Sequence, residues 1–300
     1  MEKHASTWPA LPYAQWADTC ATLHMWTQIV GKIQLALAPP VNHWWHVTFH
    51  VTPRGLATRA MPYAGGCCEI AFDFVDHRLV IETSDGSSQS LALEPQSVAD
   101  FYAKLMQLLR DMGIDVRIWP MPVEVLSPVR FDLDTAHHSY DHSSVERWWL
   151  ATLKVHEVFE AFRGEFIGKS SPVHFFWGSF DLAVTRFNGR KAPPREGADA
   201  MTREAYSYEV ISVGFWPGTA GMSDAAFYAY AAPEPEGFAA ERLQPAPAFY
   251  STDFKEFLLN YEDVRTAASP RDALLAFARS AYAAGAQRGA WDPDLLRLNR

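Results

Sequence analysis

Two stretches of this chain resemble each other closely enough to indicate how the fold is organised. Residues 40–50 have the sequence PVNHWWHVTFH, and residues 172–181 have the sequence PVHFFWGSFD. Residues 43–50 align with residues 174–181 at a constant shift of 131 residues, which carries His43 onto His174. A helix-like segment that contains a Gly-Lys pair precedes each of them. The sequence therefore predicts an internal duplication, with the two motifs in equivalent places.

The spacing of apolar residues predicts the same order of elements, helix, strands and helix, in both halves. Helices are predicted at 12–37, 97–112, 143–167 and from 269 onward. Strands are predicted at 43–52, 69–75, 78–83, 90–93, 115–119, 172–186, 206–216 and 226–232. Segregated helices and turn-linked strands favour an α+β fold with a mainly antiparallel sheet. We expect two pseudo-repeated α+β halves, residues 1–125 and 126–300, packed as one globular unit.

Composition and charge exclude several classes of protein. The chain has 300 residues, of which 48% are hydrophobic and 20% charged, so a packed core is expected. The net charge of −9 argues against nucleic acid as a partner, because phosphate binding needs clustered Lys and Arg. No apolar run approaches the ~20 residues of a membrane span. Three cysteines do not form a disulfide framework, which favours a cytoplasmic protein with reduced thiols.

The two copies differ at positions where chemistry can occur. His46 aligns with Trp177, and His50 aligns with Asp181. If both copies are strands, alternation places His46 and His50 on one face and Asp181 on the equivalent face. Two imidazoles and a carboxylate suit a divalent metal such as Zn or Fe, and a His beside a carboxylate suits general base catalysis. The sequence thus predicts a catalytic or metal site of His46, His50 and Asp181; the alternative is ordinary histidines on a solvent-facing strand.

Aromatic side chains and one arginine indicate a second kind of site. The abundance of tryptophan is typical of apolar pockets as well as of cores. Arg186 ends the second copy's strand, where it can clamp a carboxylate or phosphate, or simply be solvated. The predicted ligand-binding residues are Trp44, Trp177, Arg186, Trp216 and Tyr230.

A histidine-rich segment before the third helix is a further metal candidate. Residues 137–142 have the sequence HHSYDH, with His137 as the leading ligand candidate. The competing interpretation is a helix-capping loop in which Asp141 or Ser143 caps the following helix. The capping interpretation is favoured, because Asp and Ser are common where helices begin.

Several blocks of this sequence are similar to those of a bacterial family, the domain of unknown function number 5996. The blocks are WPALPY at 8–13, LHMWTQIVGK at 23–32, PQSVADFY at 95–102, SPVHFFWGSFDLAVTR at 171–186, GFWPG at 214–218 and FYAY at 227–230. The resemblance covers nearly the whole chain and implies membership of a family without implying an activity. In the segment that begins at Tyr206, the family pattern has His where this chain has Tyr208, which argues against a ligand role there.

Three functions are compatible with these observations. The first is a small-molecule enzyme, metal-assisted or dependent on His and Asp, with its site between two pseudo-symmetric halves. The second is a protein that binds an apolar or aromatic ligand without catalysis. The third is a structural or interaction protein, and a homo-oligomer stays open. Polar residues at matching positions of both strands place the enzyme slightly ahead, with the substrate unknown.

Overall fold

The computed structural model describes residues 8–218 and 224–296 and divides the chain into two compact units. The N-terminal unit comprises Ala14–Trp149 together with Phe175–Phe180, and the C-terminal unit comprises the rest of the described chain. Each unit is discontinuous in sequence. The division into halves 1–125 and 126–300 stays a prediction.

Six α-helices lie in the part of the chain that the structure describes. They are Ala17–Leu37 (α1), Val98–Asp111 (α2), His142–Gly164 (α3), Ala200–Ala205 (α4), Tyr261–Arg265 (α5) and Pro270–Arg288 (α6). The four long helices confirm the apolar periodicity, and Ser97 and Ser269 cap α2 and α6 through the backbone N–H groups three residues on. The two short helices, α4 and α5, were not predicted.

The strands of the N-terminal unit form an antiparallel sheet. They are Phe49–Val51 (β1), Gly55–Ala57 (β2), Met61–Tyr63 (β3), Gly66–Asp73 (β4), Arg78–Thr83 (β5) and Ser88–Ala92 (β6). Their order is β1-β2-β4-β5-β6, and β3 also pairs with β4. Buried side chains alternate along β4 and β5 with partly or fully exposed ones, as expected for a sheet with one face on a core.

The C-terminal unit contains a second antiparallel arrangement of longer strands. The short strand His174–Phe176 (β7) has its last two residues in the N-terminal unit. The strands of the C-terminal unit are Asp181–Lys191 (β8), Tyr208–Trp216 (β9), Ala226–Ala232 (β10), Phe249–Ser251 (β11) and Glu256–Asn260 (β12). Their order is β8-β9-β10-β12-β11. Most of β8, β9 and β10 is buried on both faces. The α+β class with antiparallel strands is confirmed.

The first copy of the repeated motif is not a continuous strand. Asn42–Trp44 form a 3₁₀ turn in which His43 and Trp44 have φ angles of 59° and 61°. This left-handed backbone is unusual for residues with a side chain, and it disrupts strand alternation. The strand begins only with β1, and Thr48, the residue before it, is 2% exposed. The predicted strand at 43–52 is therefore wrong for its first six residues.

The second copy is interrupted as well. A turn over residues 177–180 separates β7 from β8, and Phe180 has a φ angle of 57°. The aligned residues His43 and His174 lie in different local structures, a left-handed turn and a strand. The pseudo-repeat therefore stays a prediction.

Other differences concern short elements. No strand forms at the predicted 115–119. Conversely, β2 and β3 lie in a stretch that was predicted to be a connection, and β11 and β12 were not predicted. Strands of three to five residues carry too few positions for alternation to be recognised.

Candidate functional site

Polar side chains gather on one face of the C-terminal unit's sheet. Tyr228 on β10 lies opposite Gly214 on β9, and Gly214 lies opposite Ala183 on β8. Alternation places Asp181, two residues before Ala183, on the same face. Glu256 shares this face too, because it is two residues from Leu258, the partner of Tyr228 on β12. Four strands thus contribute to one surface.

The centre of this surface is a hydrogen bond between Tyr228 and Asp181. The Tyr228 hydroxyl donates to the Asp181 Oδ2 atom, and the two residues are 5% and 3% exposed. Tyr228 reaches across β9 because Gly214 has no side chain: a Cβ there would overlap the tyrosine ring. Burial, and next the negative charge of Asp181, raise the pKa of Tyr228 well above its usual value, so it stays a proton donor at neutral pH.

A second pair of tyrosines extends the surface. The hydroxyl oxygens of Tyr230 and Tyr206 are 2.9 Å apart, and the Tyr230 ring is parallel to that of Tyr228 at a centroid distance of 6.1 Å. The Arg195 guanidinium lies 3.9 Å from the centroid of Tyr206. Burial is the main cause that raises the pKa of both Tyr230 and Tyr206. As whole residues, Tyr230 and Tyr206 are half-buried.

Glu256 is a strongly perturbed carboxyl group of this surface. Its Oε2 atom is buried and has no hydrogen-bond partner within the described residues. Burial, followed by repulsion from the charge of Asp181, raises its pKa to about 7. A carboxyl with this pKa exchanges its proton near neutral pH. Asp181, Glu256, Tyr206, Tyr228 and Tyr230 are called the acid–tyrosine cluster below.

An aromatic wall borders the cluster. The centroid of the half-buried Trp216 ring is 4.4 Å from that of Tyr228 and 6.1 Å from that of Phe254. An apolar ring beside hydrogen-bonding groups is the usual composition of a small-molecule site. Three of the residues predicted from the sequence, Asp181, Trp216 and Tyr230, therefore meet around Tyr228.

Sequence reasoning missed Tyr228, Glu256 and Tyr206. Tyr228 and Tyr230 have a signal in the FYAY block, because residues two apart on a strand share a face. Glu256 had none, because β12 is short and was not predicted. Only the strand order shows that it lies near Asp181.

Arg186, the predicted anion clamp, lies on the opposite face of the same sheet. It pairs with Ile211 on β9, and its side chain is 1% exposed. The guanidinium carbon lies 3.5 Å from the ring centroid of Phe162 and 4.5 Å from that of Tyr282. The alternative of a solvated strand end is therefore wrong for this residue.

The remaining predicted residues lie in the N-terminal unit. The backbone N–H of Val41 donates to His46 Nδ1 over 3.1 Å, and His46 is 7% exposed. Trp177 donates from Nε1 to the carbonyl of Val47 over 2.6 Å. The Trp44 ring lies 5.4 Å from that of His46. His46 and Trp177 thus hold the irregular first copy in place.

His50 is half-buried on β1, where it pairs with Ala57. Burial lowers its pKa, which favours the neutral imidazole. The catalytic and metal roles of His46, His50 and Asp181 stay a prediction. No group of three or more His, Cys, Asp or Glu side chains in residues 8–218 and 224–296 is placed to hold a metal ion.

The histidine-rich segment has the capping structure. Asp141 accepts a hydrogen bond from the backbone N–H of Ser144 over 2.8 Å, at the beginning of α3. His137 Nδ1 lies 2.7 Å from a carboxylate oxygen of the buried Asp134. His137 thus contacts a carboxylate that also accepts from its own backbone N–H.

The fold and the cluster define an α+β protein with a carboxylate and tyrosine surface on an antiparallel sheet. Residues 8–298 match a family of unknown function, DUF5996, and the chain belongs to that family. Searches of the curated proteins and of the solved structures found no match. Among the helices of the described residues, none has the length and apolar character needed to cross a membrane.

Proposed function

We propose that the chain is a small-molecule enzyme that uses the acid–tyrosine cluster for proton transfer. The observation that carries this proposal is Glu256: a carboxyl with a pKa of about 7, whose Oε2 has no partner among the described residues, near the charge of Asp181. General acids and bases work best when their pKa lies near the operating pH. Titratable groups perturbed by burial and a specific charge are typical of active sites.

The residues of the acid–tyrosine cluster have different roles in this proposal. Glu256 gives or takes the proton, because it is the carboxyl whose pKa is brought to neutrality. Asp181 holds the Tyr228 hydroxyl and supplies the negative charge that raises the pKa of Glu256. One of the Tyr230 and Tyr206 hydroxyls donates to the other, and the second hydroxyl has its proton left to donate to a bound oxygen atom. Trp216 provides an apolar wall.

The charges favour an uncharged or cationic substrate. Asp181 and Glu256 both repel an anion once Glu256 has lost its proton. A substrate with a carbonyl or ether oxygen beside an apolar group fits the tyrosine donors and the Trp216 ring.

The test is turnover of a panel of esters, amides, glycosides, aldehydes and ketones, followed by NMR. We expect a substrate whose turnover falls at least ~100-fold in Glu256→Gln and in Tyr228→Phe. We also expect an inflection at a pH of about 7 that disappears in Glu256→Gln. Tyr250→Phe is the matched control, because its hydroxyl donates to Glu234 over 2.6 Å, outside the cluster. Turnover that Glu256→Gln and Tyr228→Phe leave unchanged contradicts the proposal.

The second candidate function is binding of an aromatic ligand without catalysis. The half-buried Trp216 ring beside Tyr228 favours it. A ligand that binds equally well to wild type and Glu256→Gln, is lost in Trp216→Ala and is not converted supports this candidate over the enzyme.

The predicted participation of His46 and His50 has its own test. If these histidines act with Asp181, the double variant His46→Ala, His50→Ala loses turnover, and elemental analysis of tag-free protein finds Zn or Fe in the wild type only. Full activity of the double variant restricts the site to the acid–tyrosine cluster.

A further inference from the structure

A separate pocket lies in the C-terminal unit beside α6. Its volume is about 540 Å³, within the range of small-molecule sites. Its lining includes Glu165, Arg186, Arg279, Tyr282, Trp291 and Leu296. Arg186 lies on the face of β8 opposite to Asp181, because the two are five residues apart on one strand. The pocket is therefore independent of the acid–tyrosine cluster.

Arg186 is an unusual residue for such a place. Its side chain is 1% exposed, and its Nε–H has no hydrogen-bond acceptor in the described chain. One Nη2–H donates to the carbonyl of Phe162. A buried guanidinium normally has a carboxylate partner, because removing a charge from water costs several kcal/mol. The aromatic rings of Phe162 and Tyr282 compensate for only part of this cost.

The carboxylates of the pocket make their close contacts with groups other than Arg186. Glu165 is held by Arg279, whose Nε lies 3.0 and 3.1 Å from the two carboxylate oxygens. Asp292 accepts a hydrogen bond from the backbone N–H of Asp294 over 2.9 Å. Among the described residues, no carboxylate oxygen lies within 4.0 Å of a guanidinium nitrogen of Arg186. Burial lowers the pKa of Arg186 to about 10, so the side chain stays charged at neutral pH.

We propose that this pocket binds a small organic acid, with its carboxylate on Arg186 and its apolar body against Tyr282 and Trp291. The guanidinium fork matches the two oxygens of a carboxylate. A monoanion suits the pocket better than a phosphate dianion, because Glu165 and Asp292 also line it. The rings of Tyr282 and Trp291, whose centroids are 5.9 Å apart, form an apolar wall.

The test uses octanoate and benzoate, each compared with its amide and with inorganic phosphate. Binding to the full chain is measured by calorimetry in a buffer free of carboxylates. We expect each acid to bind at least ~10-fold more tightly than its amide, and phosphate to bind more weakly than either acid. Equal affinity for acid and amide overturns the proposal, as does the absence of any binding by the two acids.

Two variants assign the binding to the pocket. Arg186→Met removes the charge and keeps an apolar side chain of similar length, so the fold is expected to persist. Ala286→Trp fills the pocket from α6 and leaves Arg186 in place. Each is expected to weaken octanoate binding at least ~10-fold. Octanoate binding that survives Ala286→Trp overturns the proposal even if Arg186→Met fails to fold.

The matched controls separate this pocket from other effects. Arg271→Met removes an exposed arginine near the other end of α6 and is expected to leave octanoate binding unchanged. Tyr228→Phe disables the acid–tyrosine cluster on the opposite face and is likewise expected to leave it unchanged. Loss of octanoate binding in Tyr228→Phe contradicts the independence of the two sites.

Discussion

Two residues, Glu256 and His24, have pKa values well away from the ordinary values of their side chains. Burial raises the pKa of Glu256 and lowers the pKa of His24, because it disfavours the charged form of each side chain. Neither was a site candidate from sequence, since a Glu in a short strand and a His in a helix are ordinary. Their surroundings depend on residues distant along the chain.

Glu256→Gln is expected to change how stability depends on pH. The carboxyl has a pKa of about 7 in the folded chain and 4.5 as the ordinary value, so the folded state binds more protons between these pH values. Wild-type stability should therefore fall as pH rises from 4.5 to 7. Relative to wild type, the free energy of unfolding of Glu256→Gln should increase by up to about 3 kcal/mol as the pH rises from 5 to 8. Urea unfolding at both pH values measures this, and parallel curves for the two proteins refute the assignment.

His24 is expected to have the opposite effect. Its Nε2 lies 2.8 Å from the carbonyl oxygen of Gly178 and 3.0 Å from the Gln28 amide nitrogen. Burial lowers its pKa from 6.5 to about 4, so its contribution is present above pH 6.5 and is lost as pH falls toward 4. Because His24 is partly exposed, we expect its contribution to the free energy of unfolding to be on the order of 1–2 kcal/mol.

Urea unfolding between pH 7 and pH 4.5 measures the effect of His24. His24→Gln should flatten the acid loss of stability. The matched control His138→Gln changes an exposed histidine and should preserve the loss. If both variants lose stability in acid as wild type does, another group is responsible.

Elements with clear signals were predictable, and those that depend on distant partners were not. The helix α2 has an amphipathic pattern and a Ser cap, and the structure has it within one residue of the prediction at each end. The strands β5 and β10 match the predicted ranges. The left-handed turn at His43 and Trp44 had no signal, because aromatic and β-branched neighbours favour a strand. The prediction that His46 and His50 share one face depended on that strand, because it assumed the alternation of side chains along a strand.

The N-terminal cap of α3 should contribute measurably to stability. Asp141 accepts from the backbone N–H of Ser144, and side-chain hydrogen bonds from Ser144 and Ser143 are the largest causes that lower its pKa. Asp141→Ala should lower the free energy of unfolding by about 1 kcal/mol at neutral pH. Asp141→Asn should retain most of the stability that the cap contributes, because Asn is also a good N-cap residue. Thermal unfolding of both variants measures the difference. Equal loss in both would indicate that charge, and not the cap hydrogen bond, stabilises the helix.

At the scale of the whole molecule, the fold brings together residues from opposite ends of the chain. Trp8 is 7% exposed, and its ring lies 6.5 Å from that of Phe227 and 6.0 Å from that of Tyr261. The Tyr261 hydroxyl donates to the carbonyl of Pro9 over 2.8 Å, across 252 residues of sequence. Composition and periodicity predicted the α+β class, but such long-range contacts depend on the strand order.

Trp8→Ala is therefore expected to destabilise the C-terminal unit strongly. Removal of a buried tryptophan leaves a cavity beside Phe227 and Tyr261, which should cost about 3–5 kcal/mol. Tyr261→Phe removes only the hydrogen bond to Pro9 and should cost about 1 kcal/mol. Urea unfolding gives both values, with Trp119→Ala as the matched control, because Trp119 is 69% exposed. If Trp8→Ala costs no more than Trp119→Ala, the N-terminal segment does not stabilise the C-terminal unit in solution, and the chain folds without this long-range contact.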